Sequence, residues 1–112
     1  MQDGVYVVQF VSPFGDTGHG LVVIAAGSLK GGDSQSIYHG RIQLRGKRLT
    51  LRLQVSRREA TAAPSGGTLA HFALELLGTM TESKDGFQVA GSLCGYPHYR
   101  LGMVGHKVRD LV

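Results

Sequence analysis

The sequence predicts an all-β domain, a small antiparallel meander of about eight strands that closes into a barrel. Three observations lead there. Apolar and polar residues alternate with a period of two, most clearly where Leu49, Leu51, Leu53 and Val55 interleave with Thr50, Arg52 and Gln54, the pattern of a strand with one dry face. Seventeen glycines against three prolines supply many tight turns. The connections are too short for crossovers, so neighbours run antiparallel, and a sheet of that size must close or split to remove its open edges. The 112 residues are read as one domain, residues 1–112.

Taken in order, Val5–Val11 is rich in β-branched and aromatic residues and reads as a strand covered on both faces. Leu21–Ala26, a short strand at Ser28–Lys30, Ile37–Leu44, Leu49–Val55, Phe87–Leu93 and Tyr99–Val108 follow. Gly15-Asp16-Thr17-Gly18 is expected to turn between the first two strands, and Gly31-Gly32-Asp33 to break the chain before the fourth. Gly46 marks the turn into the Leu49 strand, and Asp85-Gly86 is a two-residue turn signal. Glu59–Thr68 reads as the longest irregular stretch. One segment is ambiguous: Leu69, Phe72, Ala73, Leu76, Leu77 and Met80 recur at helical spacing, yet Phe72, Leu74 and Leu76 alternate like a strand.

With 42% hydrophobic residues the composition is that of a folded chain, and the absence of Trp leaves the core to Val, Leu and Ile. The longest apolar run, Leu21–Ala26, falls far short of the about 20 residues of a spanning helix. No secretion signal is read in the first ten residues. Cys94 is the sole cysteine, so no internal disulfide forms. These features point to a cytoplasmic location.

Charge is the most uneven feature. Arg41, Arg45, Lys47, Arg48, Arg52, Arg57 and Arg58 are seven of the twelve basic residues, and no acidic residue lies between Asp33 and Glu59. Such a hairpin is either a solvated edge that resists pairing or a cationic surface for an acidic partner. Nucleic-acid readers add stacking aromatics to their charge; Arg41–Arg58 contains none, which argues against nucleic acid. His19, His39, His71, His98 and His106 show no metal-ligand spacing, and Cys94 with His98 falls short of the three or four ligands of a zinc site. There is no G-x-S-x-G elbow, Gly15–Gly20 lacks the lysine of a phosphate loop, and Glu75 and Glu82 do not form a paired acid and base. The expectation is no catalytic residue, no metal and no cofactor. A closed barrel of this size can also enclose one apolar ligand, with Tyr6, Phe10, Tyr38 and Phe72 lining or filling the space.

Three ordered stretches resemble the GrlR-like family of negative regulators of type III secretion: DGVYVVQFVS (Asp3–Ser12), GHGLVVI (Gly18–Ile24) and GGDSQSIYHGRI (Gly31–Ile42). The resemblance is best over the N-terminal 45 residues. FALELLGTMTESKDGFQVAGSL (Phe72–Leu93) is similar more loosely to the family's late strand pair, which decides the ambiguous segment in favour of strand. The resemblance implies a lipocalin-like barrel of eight strands, a homodimer without catalytic activity, an apolar interior considered as a lipid site, and control of a transcriptional activator by protein contact. It also exposes a departure. The family's regulator carries an acidic run in the hairpin after the Y-x-G strand, whereas the matching Leu44-Arg45-Gly46-Lys47-Arg48 is basic. No acidic contact residue carries over.

The sequence therefore supports a regulatory binding protein whose cationic tip, Arg45, Lys47 and Arg48, meets an acidic protein partner. The alternative is a carrier or sensor of a small, lipid-like apolar ligand held in the barrel.

Overall fold

The computed structural model describes residues 1–12, 15–62, 68–81, 83 and 85–111; side chains at 12, 15–17, 58–62 and 68–70 are outside the description. The strands are β1 (Gly4–Ser12), β2 (Gly15–Ala25), β3 (Ser28–Gly32), β4 (Ser36–Arg45), β5 (Arg48–Ala62), β6 (Thr68–Met80), β7 (Gly86–Leu93) and β8 (Tyr96–Arg109). Each pairs antiparallel with the next, and β1 pairs with β8, so the sheet closes in the order β1 to β8. The fold class read from the sequence is the one observed.

Closure sends alternate residues inward. Tyr6, Val8 and Phe10 of β1, Val22 and Ile24 of β2, and Leu49, Leu51, Leu53 and Val55 of β5 are all buried. β6, β7 and β8 add Leu74, Leu76, Phe87, Val89, Leu93 and Met103. Each fully buried aliphatic side chain contributes about 1.5–3 kcal/mol against exposure, so the β5 row alone is a major part of the core. The interior is apolar and most charged residues face outward, the inverse of a transmembrane barrel. No helix among the described residues is long and apolar enough to cross a membrane.

The segment compatible with helix is strand β6. Phe72, Leu74 and Leu76 face inward, while Leu77, which completed the helical pattern, is 60% exposed. Other expectations are corrected. β1 is not covered on both faces, because Val7 and Val11 stand 36% and 41% exposed on the outside. Gly15-Asp16-Thr17-Gly18 is not a turn: β2 starts at Gly15, with Gly18 at φ 138 beside a register shift that prolongs the pairing to β1. Residues 13–14 lie outside the described residues. Glu59–Ala62 continues β5 and Thr68 begins β6, leaving only 63–67 of that expected loop, outside the description.

Gly31 and Gly32 belong to β3, and the break falls at Asp33. Its carboxylate Oδ1 accepts from the Gln35 and Ser36 backbone N–H groups at 2.7 and 2.8 Å. Asp85-Gly86 does not form a two-residue turn, since β6 ends at Met80 and the link runs from Thr81 to Asp85. There the Asp85 carboxylate accepts from Ser83 and from Thr81 Oγ1. Those hydroxyls, Ser83 first, hold its pKa below the usual aspartate value against the opposing effect of desolvation. Cys94 lies in the β7–β8 turn, half-buried, with its N–H bonded to the Ala73 carbonyl at 2.8 Å.

Packing of the lower barrel depends on one missing side chain. Phe87, 1% exposed, lies against Tyr6 with ring centroids 6.0 Å apart. A Cβ built on Gly105 of β8 would meet the Phe87 ring at 2.2 Å. Small residues opposite large ones are how a small barrel fills its taper. Gly105→Val should therefore destabilise the barrel by about 1–3 kcal/mol through overpacking, read as a lowered urea midpoint. An unchanged midpoint would show that the ring has room to move.

Candidate functional site

The barrel has two mouths. The lower one holds the N-terminus, the β4–β5 turn and the β6–β7 link; the upper one holds the β3–β4 and β7–β8 turns. Each presents a recess of different chemistry.

At the lower mouth, β4 and β5 are joined by Gly46-Lys47. Gly46 has φ 62, the left-handed value that the first central position of a tight II′ hairpin demands. Arg45 and Arg48 are directly paired across this turn, and with Lys47 all three are exposed. The structure thus brings the sequence-derived partner residues together at one tip. Among residues whose side chains are described, ion pairs within 4.0 Å occur at Arg52–Glu75 and Lys107–Asp110 and not at the tip. Beside the tip lies a recess of about 430 Å³ lined by Met1, Leu44, Lys47, Met80 and Thr81. The remaining basic residues do not join it. Arg41 and Arg52 pair on the outer wall, where Arg52 approaches Glu75 at 3.9 Å between two exposed side chains. Arg57 is at the opposite end, and the Arg58 side chain lies outside the description, as does Glu82.

The upper mouth opens on a cavity of about 510 Å³, within the usual size of small-molecule sites. Of the four aromatics singled out from the sequence, Phe10, Tyr38 and Phe72 line it. Phe10 and Tyr38 meet edge to face with centroids 5.2 Å apart. Tyr6 does not reach this cavity. It is fully buried toward the lower end, where its hydroxyl donates to the Gln2 carbonyl at 2.6 Å. Burial raises its pKa, helped by the charges of Asp85, Asp3 and Asp110. Val55, Leu74, Leu93 and Leu101 complete the apolar wall.

Two polar groups in this mouth were not singled out for it from the sequence. The Tyr38 hydroxyl donates to Asp33 Oδ2, and Arg57 stands at the rim. The signal for Arg57 was present: it continues the inward series Leu49, Leu51, Leu53, Val55. Burial, then the hydrogen bond to Asp33 and its charge, push the Tyr38 phenol well above its ordinary value of 10.0, with Arg57 acting in the opposite sense. The histidines whose side chains are described are all exposed, and His71 Nδ1 lies 3.1 Å from Ser56 Oγ. Among the described residues no three of His, Cys, Asp or Glu gather as a metal site.

Fold and site together define a class: a closed up-and-down barrel with a packed apolar core, an exposed basic tip at one mouth and an apolar cavity at the other. A family model described as T3SS negative regulator, GrlR, matches residues 1–111. The chain belongs to the GrlR family, a family of negative regulators of the type III secretion system (T3SS). The match extends the resemblance from the first 45 residues to essentially the whole chain. No curated protein matches the chain at a significant level.

The Tyr38 environment gives a measurable consequence. A phenol with a raised folded-state pKa favours the folded form below the unfolded value near 10, and that contribution is lost as pH rises through the folded value. The difference in phenolate absorbance between the native chain and Tyr38→Phe should place Tyr38 ionisation above pH 10, with Asp33→Asn moving it down. Ionisation of Tyr38 at or below 10 would contradict the assigned contact.

Proposed function

We propose that this chain is a non-enzymatic regulatory binding protein that acts inside the cell by protein–protein contact. The observation that carries the proposal is the exposed tip of Arg45, Lys47 and Arg48 next to a recess walled by Met1, Leu44 and Met80. Such a surface suits an acidic segment bearing an apolar anchor: the anchor is desolvated in the recess while the charges steer and select. Membership of a family of T3SS negative regulators supports the regulatory role. The basic tip supports a partner of opposite charge to the one implied by an acidic hairpin.

Combined reversal, Arg45→Glu, Lys47→Glu and Arg48→Glu, should abolish capture of the partner in a pull-down from the native cell. Capture at the level of the unmodified chain would sink this assignment.

Self-association fits the opposite wall. On the outside of β1 and β2, Val7 faces Leu21 and Val5 faces Val23, and Val11 and Val104 extend the same exposed apolar surface. A surface of this kind closes on itself across a two-fold axis, in line with the homodimer implied by the family resemblance. Sedimentation should show a dimer that Val7→Asp with Leu21→Asp converts to a folded monomer. A native chain that sediments as a monomer at micromolar concentration would remove the dimer.

A second reading rests on the upper cavity. Its volume and apolar wall suit a small apolar ligand, which would make the barrel a carrier or a sensor.

A further inference from the structure

Among the described side chains of β5, the inward row Leu49, Leu51, Leu53, Val55 is apolar and is followed by Arg57 at the upper mouth. Arg57 is half-buried and paired across the sheet with the buried Ser36. A guanidinium at the rim of an apolar cavity keeps its stem on the wall and its head near water. Among residues whose side chains are described, no carboxylate lies within 4.0 Å of it as an ion pair.

The nearby acid is already committed. Asp33 Oδ1 accepts two backbone N–H groups and Oδ2 accepts the Tyr38 hydroxyl. Three donors satisfy that carboxylate and fix it within its own turn. Arg57 is thus a cation at this mouth without an ion pair to a described carboxylate, and its planar fork matches carboxylate or phosphate oxygens in a bidentate pair.

Resting on the reading of the upper cavity as a ligand site, we propose that its ligand is a single-chain anionic amphiphile. The alkyl chain lies among Phe10, Phe72, Leu74, Leu93 and Leu101, and the head group sits on Arg57. A fatty carboxylate and an alkyl phosphate share this chemistry. A neutral alkane or alcohol fills the same apolar wall but leaves the guanidinium unused.

Calorimetric titration of the full chain with dodecanoate, dodecyl phosphate and dodecanol, all below micellar concentration, tests this. At least one anion should bind about tenfold or more tightly than dodecanol, with an advantage that shrinks as salt rises. Binding of both anions assigns the site to alkyl anions in general; preference for one assigns the head group. Arg57→Gln should erase the advantage and leave dodecanol affinity in place, while Arg57→Lys should keep part of it. Equal affinities for anions and dodecanol in the unmodified chain overturn the head-group assignment and leave the cavity reading standing. So does an Arg57→Gln chain that binds the anions undiminished. No binding of any of the three overturns both.

Discussion

The pairing of β1 with β8 is the constraint on which the rest depends. Without it the first and last strands would present unpaired backbone groups to solvent or to another chain. With it, every strand has two neighbours, and the period-two alternation of side chains becomes a division between inside and outside. Tyr6, Val8 and Phe10 are core residues because β1 is held from both sides; Val7 and Val11 are surface residues for the same reason. A shift of one residue in register would exchange these two sets.

Filling that interior is uneven along its length. In the lower half, the buried rings of Phe87 and Tyr6 lie against each other, and Gly105 gives the Phe87 ring the space it needs. In the upper half the aromatics sit against the wall. Gly20 admits the Tyr38 ring, since a Cβ there would lie 2.9 Å from it, and the Tyr38 hydroxyl is held by Asp33. The cavity is the space left beside that anchored ring. The lower half of the interior is therefore filled by packed rings, while the upper half leaves a cavity beside a tyrosine held by a polar contact.

The two proposed roles divide along the same axis. At the lower end the short Gly46-Lys47 turn projects three cations beside an apolar recess. At the open end Arg57 borders a lipophilic space. The two proposals thus assign a macromolecular partner to one mouth and a small amphiphile to the other, with the apolar core between them.

The sequence by itself determined most of the strands, the inward face of β5 and the basic hairpin turn. Alternation at Leu49–Val55 reports a half-buried strand directly, and a glycine between arginine and lysine reports an exposed hairpin turn. Where local pattern and tertiary context disagreed, context decided. The helical spacing at Leu69–Met80 was an accident of Leu77 lying on the outer wall, which the periodicity of one segment cannot distinguish from a helix face. Gly15-Asp16-Thr17-Gly18 became strand because β1 offered partners that no local rule anticipates. Only the closed barrel separated Tyr6 from Phe10, Tyr38 and Phe72, and only it placed Arg57 in the same mouth as Asp33 and Tyr38. Those outcomes rest on distances across the sheet between residues remote in sequence, and chain pattern alone carries no information about them.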